Sequence, residues 1–71
     1  MTWVQYEVWG VDEDGHEELI DTTNSIKEAR QLAESTVADV DSKIVECIIY
    51  REEDGELFEE EVIVVDTGSE V

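Results

Sequence analysis

Two Asp-Gly pairs, Asp14-Gly15 and Asp54-Gly55, each stand between segments that read as strands. Asp-Gly between alternating apolar residues is a strong hairpin signal, because the glycine accepts the positive φ that a tight turn demands. The first segment, "TWVQYEVWGV" from Thr2 to Val11, alternates and is rich in β-branched and aromatic side chains. "EELIDTT" from Glu17 to Thr23 returns from the first turn. "KIVECIIYRE", Lys43 to Glu52, and "LFEEEVIVV", Leu57 to Val65, flank the second.

Between the hairpins, "NSIKEARQLAESTVADV" carries Ile26, Ala29, Leu32, Ala33, Thr36, Val37 and Val40 at helical spacing. Ser25 is placed to cap this helix, with Glu28 three residues on completing a capping box. The order predicts an α+β fold of ββαββ type: a four-stranded, mainly antiparallel sheet with one helix packed on one face. One domain is expected over residues 1–65, followed by a flexible polar tail over 66–71.

A single helix covers one face only, yet the first and third strands are apolar on both. The expected buried side carries Val4, Tyr6, Val8, Val45, Cys47 and Ile49, which points Glu7 and Glu46 outward. The opposite side then carries Trp3, Trp9, Ile48 and Tyr50 among acids, and these four form a candidate hydrophobic or homodimer contact face. The competing reading is that two or three of the aromatics fill a small core. The register of the last hairpin has two solutions. A two-residue loop sets Tyr50 beside Glu59, and a three-residue loop sets it beside Phe58.

Charge bounds the function. The 71 residues hold 21 acids against four bases, a net charge of −17. Such a surface repels nucleic acid and anionic membranes, so neither is an expected direct partner. It attracts basic protein surfaces. The single cysteine, Cys47, cannot form an internal disulfide. With an opening "MTWVQYEVWG" unlike a signal peptide, this leads to a cytoplasmic expectation.

Nothing in the sequence builds a catalytic set, and no enzyme activity and no cofactor are expected. The one histidine, His16, sits on a turn. Ser25 is a cap, and Ser35 and Ser42 have no histidine near them in the pattern. Cys47 lies in an apolar run and reads as a structural thiol. "DEDGHEE" offers oxygen ligands around a glycine, but aligning Gly15 with the sixth position of an EF-hand loop puts Gly10 first, where a side-chain ligand is required. No metal site is assigned.

The acids themselves are the candidate site. Asp12, Glu13, Asp14, Glu17 and Glu18 gather on the first turn. Glu52, Glu53, Asp54, Glu56, Glu59 and Glu61 gather around the second. On a regular strand Glu59 and Glu61 share a face about 6.6–6.8 Å apart, comparable with the spacing of backbone phosphates.

In size, charge and the turns "DEDG" and "EEDG", the chain resembles the DNA-mimic inhibitors of phages and mobile elements, anti-restriction and anti-CRISPR proteins among them. That resemblance implies an inhibitor, in a host cytoplasm, that occupies the basic groove of a nuclease or other nucleic-acid-binding protein. It includes no aligned motif, so no residue role carries over. The acid excess and scarce lysine are also similar to proteins of salt-loving archaea. That likeness implies a small halophilic or solubility-adapted domain, alone or as a homodimer, with no specific charged target.

Overall fold

The computed structural model describes residues 4–39 and 41–64. Trp3, Val40, Val65 and the tail expected over 66–71 lie outside the described residues. Strand β1 spans Val4–Asp12, β2 Glu17–Thr23, helix α1 Ile26–Ala38, β3 Ile44–Glu53 and β4 Glu56–Val64. The order across the sheet is β2-β1-β3-β4, with every neighbouring pair antiparallel. Strands β2 and β3 therefore run parallel with β1 between them. Two parallel strands cannot be joined by a tight turn, and α1 makes the crossover.

The second hairpin closes with the two-residue loop Asp54-Gly55, since Glu53 faces Glu56. Asp54 at φ 53° and Gly55 at φ 84° both occupy the left-handed region, the signature of a type I′ turn. The first loop is longer than a two-residue Asp14-Gly15 turn. Residues Glu13 to His16 separate the strands, and the Asp12 N–H donates to the His16 carbonyl at 3.0 Å.

Helix α1 begins where the sequence placed it, but its cap differs in one half. The Ser25 hydroxyl accepts from the Glu28 N–H at 3.4 Å, as a capping box requires. The Ser25 N–H donates to the Thr23 hydroxyl at 3.0 Å, not to the Glu28 side chain. The Thr23 hydroxyl in turn donates to the Ser25 carbonyl at 2.7 Å. A β2 threonine thus takes the role expected of a helix glutamate and fixes the corner between strand and helix.

The core lies between α1 and one sheet face. Val8, Ala29, Ala33, Val37, Cys47 and Ile49 are buried, with Tyr6, Ile20, Ile26, Leu32, Ile44 and Ile63 packed against them. Complete burial of Val8 and Ile49 contributes about 1.5–3 kcal/mol each. Small helix residues, Ala29 and Ala33, let the helix approach these strands closely.

Three bulges decide which side chains reach this core. The register shifts between Val8 and Trp9 on the β2 side, between Val11 and Asp12 on the β3 side, and between Ile49 and Tyr50 on the β4 side. The extra residues are Ile20, Val45 and Glu60. Strict alternation assigned Val45 to the core and Ile44 to the far face. The bulge corrects this, because Ile44 is the residue that packs on the core. The third bulge separates Glu59 from Glu61. Glu61 is opposite the buried Ile49, and Glu59 is opposite Tyr50 on the other face. The two carboxylates therefore do not form the same-face pair that a regular strand would give.

Gly10 makes room for side chains at the first two bulges. It is buried in β1, and Ile20 and Ile44 from the flanking strands fill the space above it. A Cβ at Gly10 would stand 2.9 Å from Ile44 Cδ1, 3.2 Å from Ile44 Cγ2 and 3.1 Å from Ile20 Cδ1. Gly10→Val is expected to cost about 1–3 kcal/mol by overpacking. Gly55→Ala meets no atom within 4 Å and is expected to cost about 1–2 kcal/mol through its positive φ alone. Urea denaturation of both variants checks the pair.

Candidate functional site: two acidic ends and an uncovered sheet face

Because β1 and β3 are antiparallel and adjacent, their hairpins point opposite ways. Asp12 sits beside Ile44 at one end of the sheet, and Val4 sits beside Glu53 at the other. The two acidic turns are thus separated by at least the length of β1, about 26 Å for its nine residues. They are two ends of one body, not one patch.

At the first end Asp12 is committed to the turn. Its Oδ1 accepts the Asp14 and His16 backbone N–H groups, each at 2.9 Å. Its Oδ2 lies 3.5 Å from His16 Nδ1. The His16 N–H bond is the main reason that the Asp12 carboxyl is held below the ordinary aspartate value, with the Asp14 N–H adding to it against partial desolvation. Potential ligand atoms of Asp12, Asp14 and His16 lie within 4.8 Å of one another, so these three are the residues placed to meet a cation. The hydrogen bonds inside the loop account for their convergence without one. Glu13, Asp14, Glu17 and Glu18 are exposed and enter no ion pair among the described residues.

Along β4, from mid-sheet toward the second end, two arginines draw in part of the charge. Arg30 of α1 meets Glu61 through its Nε at 2.6 Å. Arg51 of β3 lies 3.4 Å from Glu53 and 3.5 Å from Glu60, with its guanidinium 5.1 Å from the Phe58 ring centroid. Glu53, Glu60 and Glu61 are thus engaged within the protein. Glu52, Asp54, Glu56 and Glu59 enter no such pair among the described residues. Sequence reading grouped Glu61 with the outward acids. The missed signal was an arginine, Arg30, placed on the wet side of a helix that packs beside β4.

The sheet face away from α1 is uncovered among the described residues. It carries Trp9 and Ile48 side by side, as expected, with Leu19 of β2 opposite Trp9 and Val62 of β4 opposite Ile48. Leu19 and Val62 were not singled out from the sequence; each lies within two residues of a bulge, Leu19 just before Ile20 and Val62 just after Glu60 and Glu61. Tyr50 lies on the same face between Glu7 and Glu59. Burial, then the charges of Glu17 and Glu59, pushes its phenol above the ordinary tyrosine value. The Trp9 indole N–H donates to Glu7 Oε1 at 3.0 Å.

Cys47 is fully buried on the opposite side, under α1, and desolvation raises its thiol pKa. Among the described residues a surface depression lies at each end. One is lined by Gln5, Glu52, Asp54 and Gly55, the other by Asp12, Glu13, Asp14 and Lys43. No described helix is long and apolar enough to cross a membrane.

Neither the protein-family models, the curated proteins nor the solved structures contain a match to this chain.

Two measurements follow from the site. Asp12 favours the folded state above its unfolded pKa, and that contribution disappears as pH falls through its lower folded value. A carbon-detected titration is expected to place its midpoint below that of an ordinary aspartate, and Asp12→Ala to speed exchange of the Asp14 and His16 amides. Cys47 is expected to resist iodoacetamide in the native protein and to react after denaturation in urea.

Proposed function

We propose that this protein is a non-enzymatic binding module that occupies a basic groove in a nucleic-acid-binding protein, in the manner of a nucleic-acid mimic. The observation that carries this reading is the separation of the two acidic ends by a hydrogen-bonded sheet. Each end presents carboxylates without intramolecular cation partners among the described residues. Their separation of at least about 26 Å spans about eight or more nucleotide steps of a duplex strand. A groove built to follow phosphates offers lysine and arginine over such a length, and a preformed acidic body meets it without ordering cost.

The charge favours fast, salt-sensitive association. Glu13, Asp14 and Glu17 would act at one end, and Glu52, Asp54, Glu56 and Glu59 at the other. Glu61 and Glu53 serve mainly to hold Arg30 and Arg51 against the sheet. The same acidity also suits a salt-adapted domain without a charged target, and stability against salt separates the two. A mimic folds at low salt, whereas a halophilic domain gains stability steeply toward molar salt.

The test is capture at low salt from a lysate, elution in a salt gradient, and competition of the eluted partner with duplex DNA. The expected result is a nucleic-acid-binding protein that exchanges this chain for DNA. Glu56→Lys with Glu59→Lys should weaken the complex about tenfold or more while far-UV circular dichroism stays unchanged. A captured partner that holds DNA and this protein together, or an affinity indifferent to both reversals, overturns the reading.

A further inference from the structure

The uncovered sheet face combines two features that together define what fits it. The first is a straight apolar row. Leu19, Trp9, Ile48 and Val62 lie opposite one another in register, one from each strand, so the row crosses the whole sheet. Three inter-strand steps make it about 14 Å long. Leu19 and Val62, at its two ends, are 47% and 41% exposed.

The second feature is the rim. Along the strands, the next same-face position lies about 6.6–6.8 Å from the row on either side. On one side these positions hold Glu17 and Glu46, with Val11 and Val64 between and beside them. On the other they hold Glu7 and Glu59, with Thr22 and Tyr50. Arg51 faces the helix side, Lys27 and Arg30 belong to α1, and Lys43 precedes β3. The described part of this face therefore carries glutamates and no base.

A second copy of the chain would bring the same glutamates against these, inside a protein of net charge −17. Like charges set opposite each other across a contact oppose it. The complementary occupant is cationic on both flanks and apolar along its centre. An amphipathic helix laid along the row has that form. Apolar residues at i, i+4 and i+7 span about 10.5 Å, and basic residues on either side of that stripe reach the two glutamate lines.

We propose that this face is a docking surface for a basic amphipathic helix of a partner protein, seated on Leu19, Trp9, Ile48 and Val62. It stands on the apolar row whatever the acidic ends bind, although Glu17 and Glu59 border both surfaces, and it replaces self-association as the use of this face.

The probe is a synthetic Leu/Lys peptide patterned as an amphipathic helix, titrated while tryptophan emission is followed. A scrambled peptide of the same composition reports charge attraction alone. The patterned peptide is expected to bind about tenfold more tightly than the scrambled one. Leu19→Ser with Val62→Ser should remove most of that difference. Both sites are exposed on outer strands, so the fold survives their substitution, and Ile48→Ser supplies a third site. Glu13→Gln with Glu56→Gln, at the far ends, should leave the ratio between the two peptides within about twofold. That variant fails separately in the DNA-competition experiment if the ends act as proposed there. Equal binding of both peptides, or a ratio unmoved by the serine variants, overturns the proposal. So does a concentration-dependent dimer, seen in sedimentation, that Leu19→Ser and Val62→Ser dissolve.

Discussion

Antiparallel pairing of β1 with β3 joins the two hairpins at the centre of the sheet. The hydrogen-bonded ladder runs from Val4 beside Glu53 to Asp12 beside Ile44. Everything else is referred to it. It sends the two Asp-Gly turns to opposite ends, forces α1 to act as a crossover, and leaves β2 and β4 as outer strands. It also stacks Val8 near Cys47 and Ile49, the three largest fully buried side chains, which anchor the helix. Repulsion among the acids works against this pairing, and burial under α1 holds it closed.

The ββαββ order, the helix start, the position of the second turn and the choice of Tyr6, Val8, Cys47 and Ile49 as core residues were legible from period and turn chemistry, whereas the length of the second loop was left between two and three residues. What escaped was the bulges. A bulge inserts one residue and reverses the alternation beyond it, and no side-chain pattern within a single strand marks where that happens. The exchange of Ile44 for Val45, and the splitting of Glu59 from Glu61, both follow from this. Gly10 was a partial signal. A glycine inside a strand predicts close approach of a neighbour, and here the neighbours are Ile20 and Ile44, each beside a bulge. The acidic ends could be read as turns, but their placement at opposite poles depends on the pairing of two strands distant in sequence.

The charge is not uniform in its setting. Asp12 is drawn inward by backbone N–H groups, Glu53, Glu60 and Glu61 by arginines, and Glu7 by the Trp9 indole. These acids help to shape the fold. The remainder at the two tips and along the open face are not satisfied within the described chain. A composition count treats all of them alike, whereas geometry divides them into acids that brace the structure and acids that face outward.

The long-range character of the β1–β3 ladder also bears on how the chain reaches its native state. Each hairpin is local and can close within microseconds. The chain has no proline, so no slow isomerisation intervenes. The slow search is then the docking of one preformed hairpin against the other, two strongly anionic pieces that must meet edge to edge while α1 spans the gap. Its barrier contains an electrostatic repulsion that dissolved ions weaken. Ionic strength therefore acts on the speed of this encounter as well as on the final balance, and the central ladder is where both effects originate.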